Sequence, residues 1–273
     1  MGNEVARETL KVGLAGLGAV GLGVARRLEA GIPGLALVAV AVRDGDKARR
    51  TLQRRDIEIV AADVLPQWCD IVVEGLPPAM FRVVAEPAIE LERIFMPLSV
   101  GQLLENWDLV ARAKQTGARI LVPTGALIGL DAVRAASEGT IHSVKMITRK
   151  PPNGLEGAPY LVERGISLKN LAAPLKVFDG TAREGARGFP ANVNVAAALS
   201  IAGIGPDKTQ LEIWADPALS RNTHSIEVDA DTARFAVMIE NVPSVENPKT
   251  GRITALSAVA ALRGLVAELK VGT

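Results

Sequence analysis

The sequence predicts an α/β fold, in which a doubly wound parallel sheet is followed by a second domain of the α+β class. Apolar strands alternate with amphipathic helices as far as about residue 125, which is typical of a parallel sheet covered by helices. From Thr140 the pattern changes to strands with short connections, which indicates a mixed or antiparallel sheet. The run Gly16-Leu17-Gly18-Ala19-Val20-Gly21 stands between a first apolar strand and a first helix. Together these observations predict a Rossmann-type first domain.

The glycine run predicts a dinucleotide-binding turn. Gly16 allows the tight turn from strand to helix, Gly18 lets a pyrophosphate approach the main chain, and Gly21 lets the helix pack closely on the strand. The N–H groups and the positive dipole end of the helix that begins near Ala19 and Val20 favour a diphosphate. The alternative is an ordinary tight turn of an α/β protein, but the flanking strand and helix favour dinucleotide binding.

The second strand, predicted at residues 35–42, ends in Arg43-Asp44, where such folds meet the adenosine ribose. An acidic side chain at this corner accepts hydrogen bonds from the ribose hydroxyls of NAD, whereas an arginine pairs with the 2′-phosphate of NADP. The sequence offers both side chains, so the cofactor is NAD or NADP. Taken singly, either residue is equally compatible with a solvated charge in a turn.

The remaining elements follow in the order that this fold requires. In the first domain we expect strands at 70–75, 94–100 and 119–123, and helices at 47–53, 80–91 and 103–115. A helix at 127–137 is expected to lead out of that domain. In the second we expect strands at 143–149, 176–180, 210–216, 223–229 and 234–240, and helices at 182–188 and 191–201. A long helix at 249–269 is expected to pack back on the first domain. The predicted domains are residues 1–128, 129–245 and 246–273.

Composition excludes several classes of protein. The 273 residues are 48% apolar and carry a net charge of +1, which gives no sign of binding to nucleic acid or to an anionic membrane. Cys69 is the single cysteine, so neither a disulfide framework nor a thiolate metal cluster is expected. Residues 1–10 lack an apolar signal core and no run reaches transmembrane length, which predicts a soluble, cytoplasmic protein.

Histidine is the side chain best suited to proton transfer near neutral pH, and the chain has two. His142 begins a strand without polar neighbours, so a structural or exposed role is expected. His224 follows a polar loop into a strand and is equally compatible with a catalytic and a structural role. Lys150 and Asn222 are candidates for binding an anionic substrate, with a solvated loop charge as the alternative for Lys150. No cluster has the spacing of metal ligands.

Several longer stretches carry a more specific signal than the glycine turn. They are Pro123–Ala132, Thr148–Pro152, Phe189–Ala196 with Asn192 and Asn194, Ala215–Pro217 with Asn222–His224, and Asn247–Thr250. In these stretches, in order along essentially the whole chain, the sequence resembles the L-aspartate dehydrogenase family.

The resemblance implies an enzyme that interconverts L-aspartate and oxaloacetate plus ammonia with NAD(P), through iminosuccinate. It also implies a homodimer and, in some organisms, a place in NAD biosynthesis. By the family pattern His224 matches the active-site histidine, while Ala126 and Asn194 match positions that contact the cofactor. Family members vary at Arg43-Asp44, so the resemblance leaves the choice between NAD and NADP open.

Two other hypotheses stay open from the sequence. The same architecture could serve an NAD(P)-dependent reductase of another small oxo or imino acid. It could also serve a nonenzymatic NAD(P)-binding sensor, which would bind the dinucleotide and oxidise nothing.

Overall fold

A computed structural model describes residues 8–190, 193–244 and 250–272 of the chain. The predicted Asn192 and most of the Asn247–Thr250 stretch therefore lie outside the described residues. Strands within them are β1 (Leu10–Ala15), β2 (Leu35–Ala41), β3 (Glu58–Val60), β4 (Ile71–Glu74), β5 (Ile94–Pro97), β6 (Arg119–Ile120), β7 (Ile141–Lys150), β8 (Leu175–Thr181), β9 (Gln210–Ala215), β10 (Asn222–Ala230) and β11 (Arg234–Asn241). The helices are α1 (Ala19–Glu29), α2 (Gly45–Thr51), α3 (Phe81–Glu90), α4 (Val100–Glu105), α5 (Asp108–Thr116), α6 (Leu130–Ser137), α7 (Pro159–Glu163), α8 (Ala182–Gly188), α9 (Asn194–Ala202) and α10 (Ile253–Val266).

The chain divides into two compact units. The first unit holds the described residues up to Ser99, together with Asn106–Pro123 and Ala258–Leu269. The second unit holds Val100–Glu105, Thr124–Ser257 and the described residues from Lys270. The domain limits predicted at residues 128 and 245 stay a prediction.

The first unit is built on a six-stranded parallel sheet with the order β3-β2-β1-β4-β5-β6. The chain moves outward from β1 through β2 to β3, and then returns to add β4, β5 and β6 on the other side. The direction of winding therefore changes between β1 and β4, and ligands of such sheets bind at the carboxyl ends of the strands beside this switch point. The predicted Rossmann-type sheet is confirmed.

The core of the first unit includes the end of α10. Ala258, Val259 and Leu262 belong to the same buried cluster as Val12 of β1 and Leu37 of β2. Leu262 is completely buried. At about 25 cal/mol for each Å² of apolar surface removed from water, one buried leucine contributes roughly 1.5–3 kcal/mol to folding. Residues 258–269 are thus an integral part of this unit.

The second unit contains a mixed five-stranded sheet with the order β11-β10-β7-β9-β8, as the α+β prediction requires. The pair β7 and β9 is parallel and the other pairs are antiparallel. Alternate residues such as Val144, Met146 and Ile226 are buried on one face. The opposite face carries half-buried and exposed side chains, among them Ile147 and Met238.

Some predicted boundaries were wrong for local reasons. The strand expected at 94–100 ends at Pro97, because α4 already begins at Val100. The single helix expected at 103–115 is two helices, α4 and α5. The helix expected from residue 127 begins at Leu130, since Gly129 takes the left-handed conformation with φ 80°. The short strand β3 was missed. None of the helices in the described part of the chain has the length and apolar character needed to cross a bilayer.

Candidate active site

The carboxyl end of β1 forms the predicted glycine turn. Gly16 has φ +100°, a conformation that favours glycine, and its N–H donates to the carbonyl of Ala41 at the end of β2 over 2.8 Å. On the other side, Gly75 N–H donates to the carbonyl of Ala15 over 2.8 Å. A Cβ on Gly16 would lie only 2.7 Å from the Gly75 carbonyl oxygen. The turn is therefore packed directly at the switch point of the sheet.

The other two glycines fit the roles that the sequence predicts for them. A Cβ on Gly21 would lie 2.1 Å from the carbonyl oxygen of Gly16, so only glycine lets α1 approach the turn this closely. A Cβ on Gly18 would meet nothing within 4 Å. Gly18 is also the N-cap of α1, where no side chain caps the helix and no acidic residue occupies the first turn, within the described residues. The open space over Gly18 and the N–H groups of Ala19 and Val20 fit a pyrophosphate.

At the ribose corner the two predicted side chains differ in their surroundings. Asp44 is the N-cap of α2, and its Oδ1 accepts a hydrogen bond from Lys47 N–H over 2.9 Å. Arg43 is exposed, and the residue between β2 and Arg43 is the apolar Val42. One carboxylate oxygen of Asp44 is thus committed to the helix, although Asp44, like Arg43, is exposed, so both side chains face solvent at this corner.

In the second unit, β7 and β10 bring a second group of polar side chains together. Their antiparallel register pairs Thr148 with His224, so that the end of one strand lies beside the beginning of the other. Thr148 Oγ1 and His224 Nδ1 lie 3.1 Å apart, within hydrogen-bond distance. Lys150 and Asn222 complete the group, and a Cβ on Gly154 would lie 3.9 Å from both the Lys150 Cδ and the Asn222 Oδ1. We call these four residues, Thr148, Lys150, Asn222 and His224, the polar cluster.

Burial controls the electrostatics of the polar cluster. His224 is only 3% exposed, and its desolvation, with the nearby positive charge of Lys150, lowers the pKa of the imidazole from 6.5 to about 3. His224 is therefore neutral at physiological pH. Lys150 is itself buried at 4% exposure. An ammonium group can donate charge-assisted hydrogen bonds to a carboxylate, so this position suits an anionic ligand.

Asp216 lies next to this group. Its N–H donates to the carbonyl of Lys150 over 2.8 Å, and its Oδ1 accepts from Ala218 N–H over 3.0 Å. Its Oδ2 lies 3.6 Å from Arg149 Nη1. Asp216 therefore fixes the end of β7, from which Lys150 projects.

The remaining predicted positions lie elsewhere in the second unit. Asn194 begins α9, and its Oδ1 accepts a hydrogen bond from Gly101 N–H over 3.0 Å. The carbonyl of Ala126 accepts from Asn241 Nδ2 over 3.0 Å. In contrast, His142 is exposed on β7, as expected for a residue outside a site.

The sequence analysis assigned no role to three residues. Thr148 and Asn241 sit 76 and 115 positions from their partners, so only the strand register reveals them. Glu74 was included in a strand and turn without a role, although it is completely buried. A charged residue that ends an otherwise apolar strand was the available signal for Glu74. Across the described residues no group of three histidine, cysteine or acidic side chains is arranged to hold a metal ion.

Comparison with known proteins covers both units. Residues 131–265 match the family model described as aspartate dehydrogenase, C-terminal, and residues 16–123 match the homoserine dehydrogenase NAD-binding domain model. The chain is 55% identical over 275 residues to L-aspartate dehydrogenase of Bradyrhizobium diazoefficiens, covering 100% of this chain and 98% of the relative. It is 52% identical over 270 residues to L-aspartate dehydrogenase 3 of Bordetella bronchiseptica, covering 98% and 99%.

Solved structures extend this similarity to the fold. The aspartate dehydrogenase of Thermotoga maritima aligns with a TM-score of 0.75 at 21% identity, over 96% of this chain and 99% of that one. A scyllo-inositol dehydrogenase of Lactobacillus casei, solved with NAD(H) and scyllo-inositol, aligns with a TM-score of 0.54 at 15% identity, over 94% and 87%. At these identities the alignments establish the fold alone.

Proposed function

Because the chain belongs to the L-aspartate dehydrogenase family, we propose that it catalyses the NAD(P)-dependent oxidative deamination of L-aspartate and the reverse reductive amination. The forward reaction forms iminosuccinate, which water then converts to oxaloacetate and ammonia. The observation that carries the proposal is the polar cluster, in which a buried neutral imidazole lies beside a buried cation. This pairing suits a substrate that carries carboxylates and must exchange protons during the reaction.

The glycine turn holds the dinucleotide. Gly16 and Gly21 set the turn, the open space over Gly18 admits the pyrophosphate, and the first N–H groups of α1 donate to it. When bound, the cofactor supplies a hydride acceptor or donor at its nicotinamide ring. By the family pattern Ala126 and Asn194 are further cofactor contacts, and the hydrogen bonds from Asn241 and Gly101 hold these two residues in place.

His224 moves the protons. Oxidation of the amine and addition of water to the imine both require a group that accepts a proton. If Nδ1 donates its proton to Thr148 Oγ1, the lone pair lies on Nε2, which is then the atom that accepts the proton. Burial is the larger cause of the lowered pKa of His224 and the positive charge of Lys150 the smaller one, and a substrate carboxylate near Lys150 would partly cancel the second. Substrate binding would thus raise the basicity of this imidazole when it is needed.

Lys150 and Asn222 orient the substrate carboxylates. Lys150 offers a charge-assisted donor and Asn222 an amide donor, from adjacent ends of β7 and β10. Burial makes both interactions stronger than they would be in water. Fixing both carboxylates would place the α-carbon in one orientation, which is the main contribution a protein makes to hydride transfer.

We propose that the enzyme is a homodimer in the cytoplasm. We also propose that its iminosuccinate is supplied to NAD biosynthesis. Support for dimerisation comes from the face of the second sheet opposite its core, which carries Ile147, Trp214 and a Met238 that is 63% exposed. The mass of the protein measured by light scattering tests the dimer. In the proposed division, residues 1–128 bind the cofactor, residues 129–245 bind the substrate and the partner copy, and residues 246–273 return to the first domain.

Turnover is the direct test of the proposal. With L-aspartate at alkaline pH, the wild-type enzyme should reduce NAD or NADP, followed by the absorbance of the reduced ring, and should leave L-malate unreacted. His224→Ala should lower kcat by more than about a hundredfold, the usual contribution of a general acid or base, with an unchanged Kd for NADH. His142→Ala is the matched control and should retain full activity.

The two rival functions predict different results. Turnover of another amino or oxo acid, without turnover of L-aspartate, would identify a related reductase. Binding of NADH without turnover of any acid in such a panel would identify a sensor. Equal activity of His224→Ala and His142→Ala would refute the assignment of the proton-transfer residue.

A further inference from the structure

Glu74 is a buried carboxylate to which the proposed reaction assigns no role. It is the last residue of β4 and has an exposed fraction of zero. Its Oε1 accepts hydrogen bonds from Leu76 N–H over 2.8 Å and from the Ser99 hydroxyl over 3.1 Å, while its Oε2 accepts from Ser99 N–H over 3.2 Å. One side chain therefore joins the turn after β4 to the turn after β5.

The cost of burying this group indicates that its hydrogen bonds are specific. Burial raises the pKa of Glu74 to about 7, although all three hydrogen bonds favour the ionised form and lower it. The preceding residues of β4 are Ile71, Val72 and Val73, all buried and apolar, and an apolar residue would complete that pattern. The carboxylate at this position accepts hydrogen bonds from donors that would otherwise be unpaired. Burying an unpaired N–H group costs free energy of folding, which explains why a carboxylate is found here.

The position of Glu74 in the sheet connects it to the cofactor site. Glu74 pairs with Ala15 of β1 and with Pro97 of β5, so it lies at the carboxyl edge beside the switch point. The next residue, Gly75, is exposed and contacts the Gly16 turn, as described above. In doubly wound sheets the dinucleotide lies across this edge, and the turn after the fourth strand is on the side away from the adenine ribose.

We propose that Glu74 is a positioning residue, which ties the main chain at Leu76 to Ser99 and so fixes the surface on which the nicotinamide half of NAD(P) lies. The inference rests on the proposed function, because it requires that the glycine turn bind a dinucleotide. Glu74 acts through the two turns and makes no contact with the reacting atoms. Without it, the donors at Leu76 and Ser99 would lose their common acceptor, and the two turns could move independently.

Two variants test this role. Glu74→Gln replaces one acceptor oxygen with an NH₂ group, which then faces one of the N–H donors. Ser99→Ala removes only the hydroxyl donor and leaves the main-chain hydrogen bond from Ser99, so it keeps the test valid if Glu74→Gln fails to fold. Ile71→Val, a conservative change at the opposite end of the same buried strand, is the matched control for general effects on the sheet.

The discriminating measurement compares two probes. NADH carries the nicotinamide ring, whereas ADP-ribose lacks it and keeps the adenosine and pyrophosphate. For Glu74→Gln we expect Kd for NADH to rise about tenfold and kcat to fall about tenfold, with Kd for ADP-ribose changed by less than about twofold. Ser99→Ala should show the same selectivity at about threefold, and Ile71→Val should show none.

Equal weakening of NADH and ADP-ribose, or unchanged NADH affinity in both variants, would overturn the inference. Failure of the proposed function gives a different result. A wild-type protein that binds NADH but does not oxidise L-aspartate would refute the proposed reaction, while the ratio of the two Kd changes would still decide the role of Glu74. A wild-type protein that does not bind NADH would overturn both.

Discussion

Substitution of Gly21 by alanine should lower stability, whereas substitution of Gly18 by alanine should weaken cofactor binding, although both glycines belong to the same turn. A Cβ at Gly21 would lie 2.1 Å from the Gly16 carbonyl oxygen, far inside the 3.0 Å that real Cβ contacts respect. The helix and the turn must therefore separate by about 1 Å, an overpacking defect that costs roughly 1–3 kcal/mol. For a chain of this size we expect Tm to fall by about 2–4 °C for each kcal/mol.

Gly18→Ala should instead leave stability almost unchanged and weaken the binding of NADH. Its φ of −72° suits alanine, and the added Cβ meets open space in the protein itself. The same methyl group would occupy the volume that a pyrophosphate needs against the main chain. We expect Tm to change by less than about 2 °C, while Kd for NADH rises by more than about tenfold.

Differential scanning fluorimetry gives Tm for these variants, and quenching of protein fluorescence by NADH gives Kd. Gly264→Ala in α10 is the matched control, because the same methyl group again meets open space but lies within a helix. It should raise stability by about 0.5–1 kcal/mol and leave Kd unchanged. Wild-type affinity in Gly18→Ala would refute the placement of the pyrophosphate, and a wild-type Tm in Gly21→Ala would refute the close packing of the turn.

Three further predictions follow from the polar cluster and the ribose corner. The pKa of His224 is lowered from 6.5 to about 3, so between these pH values the unfolded chain binds more protons than the folded chain. The free energy of unfolding should therefore rise with pH across this window, by up to about 1.4 kcal/mol per pH unit. His224→Gln should flatten this rise in urea titrations from pH 4 to 7; an identical slope would contradict the burial argument. Lys150→Met should raise KM for oxaloacetate at least about tenfold and leave Kd for NADH unchanged. An unaltered KM in steady-state kinetics would show that Lys150 does not bind a substrate carboxylate. Arg43→Ala should raise KM for NADP about tenfold and KM for NAD less than about twofold. Asp44→Asn keeps the helix cap and should leave both KM values nearly unchanged. A selective rise of KM for NAD in Asp44→Asn would show that Asp44 binds the ribose.

Local patterns made the first unit predictable. The fingerprint at Gly16, Gly18 and Gly21 depends on a strand, a turn and a helix within about a dozen residues, so the sequence contains the whole motif. The alternation of strands and helices likewise determines a parallel sheet. Helix and strand ends were less predictable, because they depend on distant partners. The turn after β5, for example, is held by a hydrogen bond from Ser99 N–H to the carboxylate of Glu74, which lies more than twenty residues earlier.

The polar cluster was only partly accessible to sequence reasoning. His224 and Lys150 attract notice by residue type, but nothing local reveals that Thr148 lies beside His224. That contact follows from the pairing of β7 with β10, and a register shift of one residue would turn the histidine to the other face of the sheet. The strong effect of burial on the pKa of His224 is likewise a property of the packed sheet.

The return of α10 has a consequence for how the protein is made. Ribosomes synthesise nearly all of the second unit, up to Ser257, before they reach Ala258, Val259 and Leu262, which complete the buried cluster of the first unit. Part of the apolar surface of the first sheet therefore stays uncovered while more than a hundred further residues leave the ribosome. Such long-range contacts slow folding and expose the nascent chain to aggregation. Cutting the gene after residue 123 would accordingly release an incomplete domain, and a circular permutation that joins the two parts of this core would be the better way to isolate it.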